Sequence, residues 1–440
     1  MGIFKAYDIR GIVPSELDEE KIYRIGRAFV VFSGCGEVVV GRDVRLTADA
    51  LFAALADGIT DQGADVLDVG RCDTPFLYFA SQGKPAALML TASHNPKEYN
   101  GLKLCRENAV PLSGDTGIAE IEKVFNRGAF PPAPKGKIRK VDRMDEFISF
   151  NRGFAAVGTG KRLKMVADGA NGAGTLTFPR VMEGLDVDFV PLYMEPDGTF
   201  PNHEANPLIE ENLRDLQRRV VEEGADLGVA LDGDADRCMF VDETGAIQRA
   251  DVIGALIAAD FLKRYPGATA LYDLRSSAAV REEIEKHGGR ALQCRVGHAF
   301  IKRQMREHNA VFACELSGHF YFRDHFFTES SCIAAISVLN MLSAKGTKLS
   351  EAASAINRYA HSGEINFKVD DKNAVLAKLE KSFPGGRTFH LDGLSVEFDT
   401  WWFNVRPSNT EPLLRLNLEA RSTDEMENRK AELIKFIEGS

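Results

Sequence analysis

Three aspartates alternate in the run Asp232-Gly233-Asp234-Ala235-Asp236-Arg237, directly after the apolar segment Leu227 to Leu231. Carboxylates roughly 4 Å apart at an effective dielectric of about 20 repel by about 4 kcal/mol per pair. Three of them at the end of a buried strand therefore call for a cation, and hard oxygen donors suit Mg²⁺ or Ca²⁺ better than a soft metal. Counted from Asp232, the twelfth residue is Glu243, as in a calcium-binding EF-hand. The sixth position, however, needs glycine and holds Arg237, and the preceding segment reads as a strand, which excludes that loop. A dehalogenase-type phosphotransferase is a second alternative. Asp232 and Asp234 fit its DxD nucleophile motif, but Asp236 stands where Thr or Val is expected.

A hydroxyl occurs in a second polar run, Thr91-Ala92-Ser93-His94-Asn95-Pro96, again straight after an apolar stretch. Ser, Asn and Pro also make ordinary turns. No GxSxG elbow is present, so a hydrolase triad is a poor reading. A serine that carries a phosphoryl group needs cations beside it, and Lys103 and Arg10 of Tyr7-Asp8-Ile9-Arg10 are the candidates. A third cluster, Arg406-Pro407-Ser408-Asn409-Thr410-Glu411-Pro412, joins one forked cation to several neutral donors, a set suited to a phosphate. The glycines of Asp168 to Gly174 match neither the Walker nor the dinucleotide pattern. They read as a tight strand-to-helix turn, with no nucleotide site.

The elements that carry these clusters repeat one plan three times. Val38 to Val40 predicts a strand, and Thr47 predicts the cap of a helix whose stripe is Leu51, Phe52, Leu55 and Ile59, ended by Gly63. Asp65 to Val69 and Ala87 to Leu90 predict further strands. The second copy has strands at Leu163 to Ala167, Val187 to Val190 and Leu227 to Leu231, with a helical stripe at Leu213, Leu216 and Val220. The third has strands at Thr269 to Tyr272, Ala291 to Gln293 and Val311 to Ala313, with helices over Ser276 to His287 and His298 to Glu307. Strand–helix alternation with short joints implies a mainly parallel sheet under helices. Ligands gather at the carboxyl ends of such strands, where each copy delivers a polar cluster. The tail differs. Leu394 to Phe398, Trp401 to Val405 and Leu414 to Leu418 follow one another as strands, and a helix spans Thr423 to Ile437, giving a smaller α+β domain.

The chain has 440 residues, enough for about three or four domains. With 54 basic and 64 acidic residues the net charge is −10, which argues against a nucleic-acid or anionic-membrane partner. No apolar run reaches the ~18 residues of a membrane span; the best, Val252 to Leu262, is broken by Asp260. Charge in Met1 to Arg10 comes too early for a signal peptide. Seven scattered cysteines without CxxC support neither a disulfide framework nor a zinc site, and a cytoplasmic location is expected. Nothing fixes the number of subunits.

Taken in order, these clusters resemble the α-D-phosphohexomutase family, in its bacterial phosphomannomutase/phosphoglucomutase branch. Thr91 to Pro96 is similar to the family's phosphoserine loop, Asp232 to Arg237 to its magnesium loop, Glu315-Leu316-Ser317-Gly318-His319 to its sugar-binding loop, and Arg406 to Thr410 to its phosphate-binding loop. Phe4 to Gly11 and Asp197 to His203 fit as well. The resemblance implies three similar α/β domains, with mainly parallel sheets, plus a smaller C-terminal α+β domain around a central cleft. The expected bounds are 1–145 with the phosphoserine loop, 146–245 with the metal loop, 246–355 with the sugar loop and 356–440 with the phosphate-binding loop.

It also implies a reversible exchange of hexose 1-phosphate and 6-phosphate. Phosphorylated Ser93 would give its phosphoryl group to the sugar, and the other phosphate of the resulting hexose 1,6-bisphosphate, also an activator, would return to Ser93. Mg²⁺ would be held by Asp232, Asp234, Asp236 and a phosphate oxygen on Ser93. Arg10, Lys103 and Arg237 would balance charge, with Lys103 or His298 moving protons. Tyr7, Arg275, Glu315, Ser317, His319, Arg406, Ser408, Asn409 and Thr410 would bind the sugar phosphate. Cys314 stands where the family usually has Gly, Arg275 where several members carry Lys, and Arg295-Val296 where Lys-Thr is common. Phosphoglucosamine mutases, the alternative branch, usually carry Gln between the Glu and Ser of the sugar loop, so Leu316 favours mannose or glucose. A non-enzymatic alternative is a calcium-responsive binding module built on the acidic loop.

Overall fold

The computed structural model describes residues 2–156, 160–408 and 413–439. Two compact units divide the chain, one of residues 1–249 and 317–350, the other of 250–316 and 351–440.

The first unit contains two sheets. In the first sheet the strand order is Ile9–Ile12, Tyr99–Arg106, Ala86–Leu90, Glu37–Arg42, Asp65–Arg71 and Ile138–Lys140, with Val110–Pro111 added to Tyr99–Arg106. Glu37–Arg42 is parallel to both its neighbours, whereas Tyr99–Arg106 runs antiparallel to Ala86–Leu90 and Ile9–Ile12. Val38 and Val40 face a cluster formed with Ile22, Phe29, Leu51, Leu55 and Ile59, from the helices Glu19–Ser33 and Ala48–Asp61. Val39 is buried on the opposite face, so the strand reads as an unbroken apolar run because both its faces are covered. Thr47 precedes the second helix but makes no side-chain cap bond. Its hydroxyl instead accepts from Asn100 Nδ2 at 3.0 Å, tying the helix start to Tyr99–Arg106.

The second sheet has the order Ile247–Gln248, Cys238–Asp242, Leu227–Leu231, Leu163–Asp168, Val187–Leu192. Its last three strands are parallel, and Cys238–Asp242 folds back antiparallel on Leu227–Leu231. The turn between these two is the triple-aspartate run. A hairpin of Phe320–Phe322 and Thr328–Glu329, with the helix Ser331–Lys345 capped by Ser330, completes this unit.

In the second unit, Arg290–Cys294, Thr269–Asp273 and Phe312–Cys314 lie parallel in that order. The helices Ala250–Arg264, Ala278–Lys286 and His298–His308 accompany them. The apolar stretch Val252 to Leu262 forms most of the first of these helices, and its buried Asp251 accepts from Ser277 N at 2.8 Å. The tail is an antiparallel sheet, Ala360–His361, Leu414–Ala420, Trp401–Pro407, Leu394–Glu397, Arg387–Phe389, with Ile365–Phe367 also on Leu414–Ala420. Trp401, Phe403 and Val405 enter its core with Leu433 and Ile437 of the helix Thr423–Glu438. Asn404 and Arg406, which alternate with them along the strand, take the other face and are buried there. All seven cysteines are free. No helix among the described residues is long and apolar enough to cross a membrane.

Candidate active site

Leu90 ends its strand and the chain turns through Thr91 to Ser93, where the backbone enters the left-handed region (φ 50°). A non-glycine residue held there costs on the order of 1 kcal/mol or more, and the surroundings must enforce it. Thr91 Oγ1 accepts from Ser93 N at 2.9 Å. Arg45, with no exposed surface, donates to the carbonyls of Ser93 (2.8 Å), Asn95 (2.7 Å), Pro96 (2.7 Å) and Tyr99 (2.9 Å), while its Nε meets Asp43 Oδ2 at 3.2 Å. One guanidinium therefore binds four backbone carbonyls between Ser93 and Tyr99 and fixes the course of this segment.

Ser93 Oγ donates to Asp232 Oδ2 at 2.8 Å, and His94 Nδ1 lies 3.2 Å from the same hydroxyl. The hydroxyl and the acidic run, 139 residues apart in sequence, thus meet within one unit. Gly233 permits the approach: a Cβ at that position would stand 2.4 Å from the Ser93 carbonyl oxygen. On the far side of the aspartate turn, Ser331 Oγ donates to Ala235 O at 2.7 Å.

Asp232, Asp234 and Asp236 are all buried, and one carboxylate oxygen from each lies within 4.8 Å of the others. Lys103 Nζ donates to Asp234 Oδ2 at 2.5 Å and also to Asp236 Oδ2. Thr74 donates to Asp234 twice, through Oγ1 to Oδ2 (2.5 Å) and through N to the carbonyl oxygen (3.0 Å). Burial, then the charges of Asp234 and Asp236, push Asp232 up to about 8. Burial would also raise Asp236, but Lys103, His319 and Arg237 outweigh it and hold that carboxyl well below the usual range. Lys103 is the converse case: burial opposes its charge, and the two aspartates override that and keep the ammonium protonated. Asp234 Oδ1 is buried with no hydrogen-bond partner among the described residues. Crowded acids with an orphaned inward oxygen fit a divalent cation held by the three aspartates.

Arg10, Arg237 and His319 complete this neighbourhood. Arg10 Nη1 donates to Asn95 Oδ1 at 2.5 Å, and its Nη2 pairs with Asp8. Arg237 Nε approaches Asp232 Oδ2 (3.9 Å) and donates to His319 Nε2 (3.1 Å). His319 Nε2 lies 3.4 Å from Asp236 Oδ1, and Ser317 Oγ lies 3.1 Å from His319 Nδ1. Tyr7 is half-buried in the opening segment.

The remaining expected residues belong to the second unit. Asp273 Oδ2 accepts from Arg275 Nη2 (2.6 Å) and from Leu316 N (2.9 Å), which sets the sugar-loop backbone against Arg275. Glu315 Oε1 accepts from Gly297 N at 3.1 Å, next to His298 at the start of its helix, and lies 3.9 Å from Arg275 Nη2. Cys314 is fully buried and its thiol is pushed well up by burial. Arg406 is 2% exposed, and Ser408 N donates to Leu413 O at 2.8 Å. Asn409 and Thr410 lie outside the described residues.

Residues that sequence reasoning did not single out also hold these groups: Arg45, Thr74 and Ser331 in the first unit, and Glu364, which pairs with Arg275 and Arg406, in the second. Thr74 carried a signal, since Asp73-Thr74-Pro75 is a helix-start pattern. Asp73 Oδ1 does accept from Phe76 N at 2.8 Å.

Residues 1–132, 145–245 and 249–359 match the α/β/α domains I, II and III of phosphoglucomutase/phosphomannomutase, and 364–436 match its C-terminal domain. A phosphomannomutase of Salmonella montevideo is 39% identical, with 99% of this chain and 98% of that protein covered. One of Methanocaldococcus jannaschii is 39% identical over 99% and 97%. The crystal structure of a phosphoglucomutase/phosphomannomutase family protein from Burkholderia thailandensis superposes with a TM-score of 0.92 at 31% identity, covering 99% of this chain and 97% of that one. Aspergillus fumigatus N-acetylphosphoglucosamine mutase in complex with GlcNAc-6P and magnesium shares the fold, with a TM-score of 0.63 at 14% identity over 99% and 95%.

Proposed function

This chain belongs to the phosphoglucomutase/phosphomannomutase family and is a phosphohexomutase, and we propose that it works through a phosphoserine at Ser93, with mannose and glucose phosphates as its substrates. The observation that carries this reading is the 2.8 Å bond from Ser93 Oγ to Asp232 within a buried triple-aspartate site.

Phosphoryl transfer depends chiefly on positioning and on charge stabilisation. The Arg45 clamp and the left-handed Ser93 backbone supply the positioning, because they aim one hydroxyl at one place. Asp232, Asp234 and Asp236, with a phosphate oxygen on Ser93, would hold Mg²⁺, which when bound offsets negative charge on the transferring group. Lys103, fixed between Asp234 and Asp236, acts as a permanent cation beside the phosphoryl group, and Arg10 and Arg237 add charge from the other loops. A proton acceptor for the sugar hydroxyl is then better sought at His298 than at the firmly protonated Lys103.

By the family resemblance, sugar hydroxyls would be bound by Ser317, His319 and Tyr7 of the first unit and by Glu315 and Arg275 of the second. Arg406, with Ser408, Asn409 and Thr410, would grip the phosphate that is not reacting. A mutase needs that second anion site, since each phosphate of the hexose 1,6-bisphosphate takes both roles in turn. Leu316 and the phosphomannomutase relatives support mannose or glucose over glucosamine.

A coupled assay with mannose, glucose and glucosamine 1-phosphates and a catalytic amount of hexose 1,6-bisphosphate tests the reading. Ser93→Ala is expected to remove nearly all turnover while leaving the circular-dichroism spectrum unchanged. A phosphopeptide label on Asp232, with Ser93→Ala still active, would overturn it.

A further inference from the structure

Three guanidiniums in the second unit converge on one carboxylate. Glu364 Oε2 accepts from Arg406 Nη2 at 3.0 Å and from Arg275 Nη1 at 3.4 Å, and Glu364 Oε1 accepts from Arg415 Nη1 at 2.9 Å. The register explains why a carboxylate is needed. Arg406 and Arg415 are direct partners across the antiparallel pair Trp401–Pro407 and Leu414–Ala420, and like charges placed opposite one another destabilise a sheet. Arg275 arrives from the end of Thr269–Asp273 and adds a third positive charge, partly spent on Asp273. Glu364 stands just before Ile365–Phe367, which pairs with Leu414–Ala420, so its carboxylate is delivered into the middle of the three.

The other acid near Arg406, Asp392, accepts from Val296 N at 3.3 Å. Burial would raise Glu364, but Arg275, Arg406 and Arg415 outweigh it and keep it ionised below the usual range. Arg406 Nε is buried with no hydrogen-bond partner among the described residues. Glu364 itself is 21% exposed, whereas Arg406 is 2% exposed, so of the two the carboxylate is the more accessible from solvent.

We propose that Glu364 is an internal competitor for the phosphate grip: it occupies donors of Arg275, Arg406 and Arg415 in the free protein, and an arriving phosphate has to share or displace it. The inference rests on the reading of Arg406 as that grip. Its consequence is deliberate weakness. A bisphosphate intermediate must let go of one phosphate before the other can take its place, and an ion pair that reforms behind the departing phosphate offsets the loss of its bonds. The opposite role, an organiser that holds three guanidiniums ready, predicts the opposite sign.

The test is the KM for mannose 1-phosphate and the inhibition constant of inorganic phosphate, in the coupled assay, for the wild type, Glu364→Gln, Glu364→Asp and Arg406→Ala. Glu364→Gln is expected to lower both constants about fivefold, the effect of one partly screened ion pair, without raising kcat. Glu364→Asp, whose carboxylate retreats by one methylene, is expected to lower both about twofold and carries the test alone if the glutamine variant does not fold. Constants that rise or stay unchanged in the Glu364 variants, with Arg406→Ala weakened at least about tenfold, would overturn the competitor role alone. An Arg406→Ala enzyme that binds as the wild type does would remove the grip itself.

Discussion

Replacing Gly233 with alanine tests the geometry of the site without touching any charge. The added Cβ would stand 2.4 Å from the Ser93 carbonyl oxygen, about 1 Å inside the 3.4 Å at which ordinary contact begins. Neither side yields easily. The Ser93 carbonyl is held by the buried Arg45 at 2.8 Å, and the aspartate turn is held from behind by Ser331 through the carbonyl of Ala235 at 2.7 Å. The strain must therefore appear as a separation of roughly 1 Å between Ser93 Oγ and the acidic run. A misplacement of that size at a reacting centre costs about a hundredfold in rate, and the overpacking costs about 1–3 kcal/mol of stability. The coupled assay should show kcat/KM reduced about a hundredfold, and denaturant unfolding should show the smaller stability loss. A variant with wild-type kcat/KM would refute the claim that contact between these two loops sets the reacting distance.

Asp234→Asn removes a charge that holds Lys103 and, in the proposed site, a metal ligand; turnover should fall about 10²- to 10³-fold, and full wild-type activity after treatment with EDTA would defeat the metal assignment. A pH effect is expected at His203, whose Nε2 lies 2.9 Å from Asp168. Burial lowers its affinity for a proton, but the Asp168 bond and charge outweigh that and raise it above the ordinary 6.5. Folding is then favoured by the protonated ring, fully on the acid side of 6.5, and the benefit fades as pH rises through the raised native value. The difference in unfolding free energy between wild type and His203→Gln should accordingly shrink with rising pH in guanidinium titrations; a difference that grows would contradict the pairing.

The parts of this site legible in the sequence are those whose signal is local. Leu227 to Leu231 followed by three alternating aspartates shows a buried strand and a cation-seeking turn within a single window. Ser93 follows another apolar strand, and Arg406 lies next to a loop rich in neutral donors. What could not be read is work done at long range. Arg45 acts on carbonyls about fifty residues away in sequence, and Glu364 gains its meaning only from the register that sets Arg406 opposite Arg415. Tyr99–Arg106, the strand that carries Lys103, hides behind its polar residues: Asn100 and Lys103 are of types usually exposed, yet both are buried through tertiary bonds. Thr47 had the right residue type for a cap, but Asn100 claimed its hydroxyl.

The first unit is not continuous: the chain leaves it after residue 249 and returns at 317. Ser331, which braces the aspartate turn, lies 96 residues beyond the alanine it holds. A ribosome adding about 5–20 residues per second needs roughly 5 to 20 s to cover that stretch. During that interval the nascent polypeptide already possesses the serine and all three acids but lacks the brace behind them. The brace behind the aspartates is therefore completed only after residues 250–316 have been made.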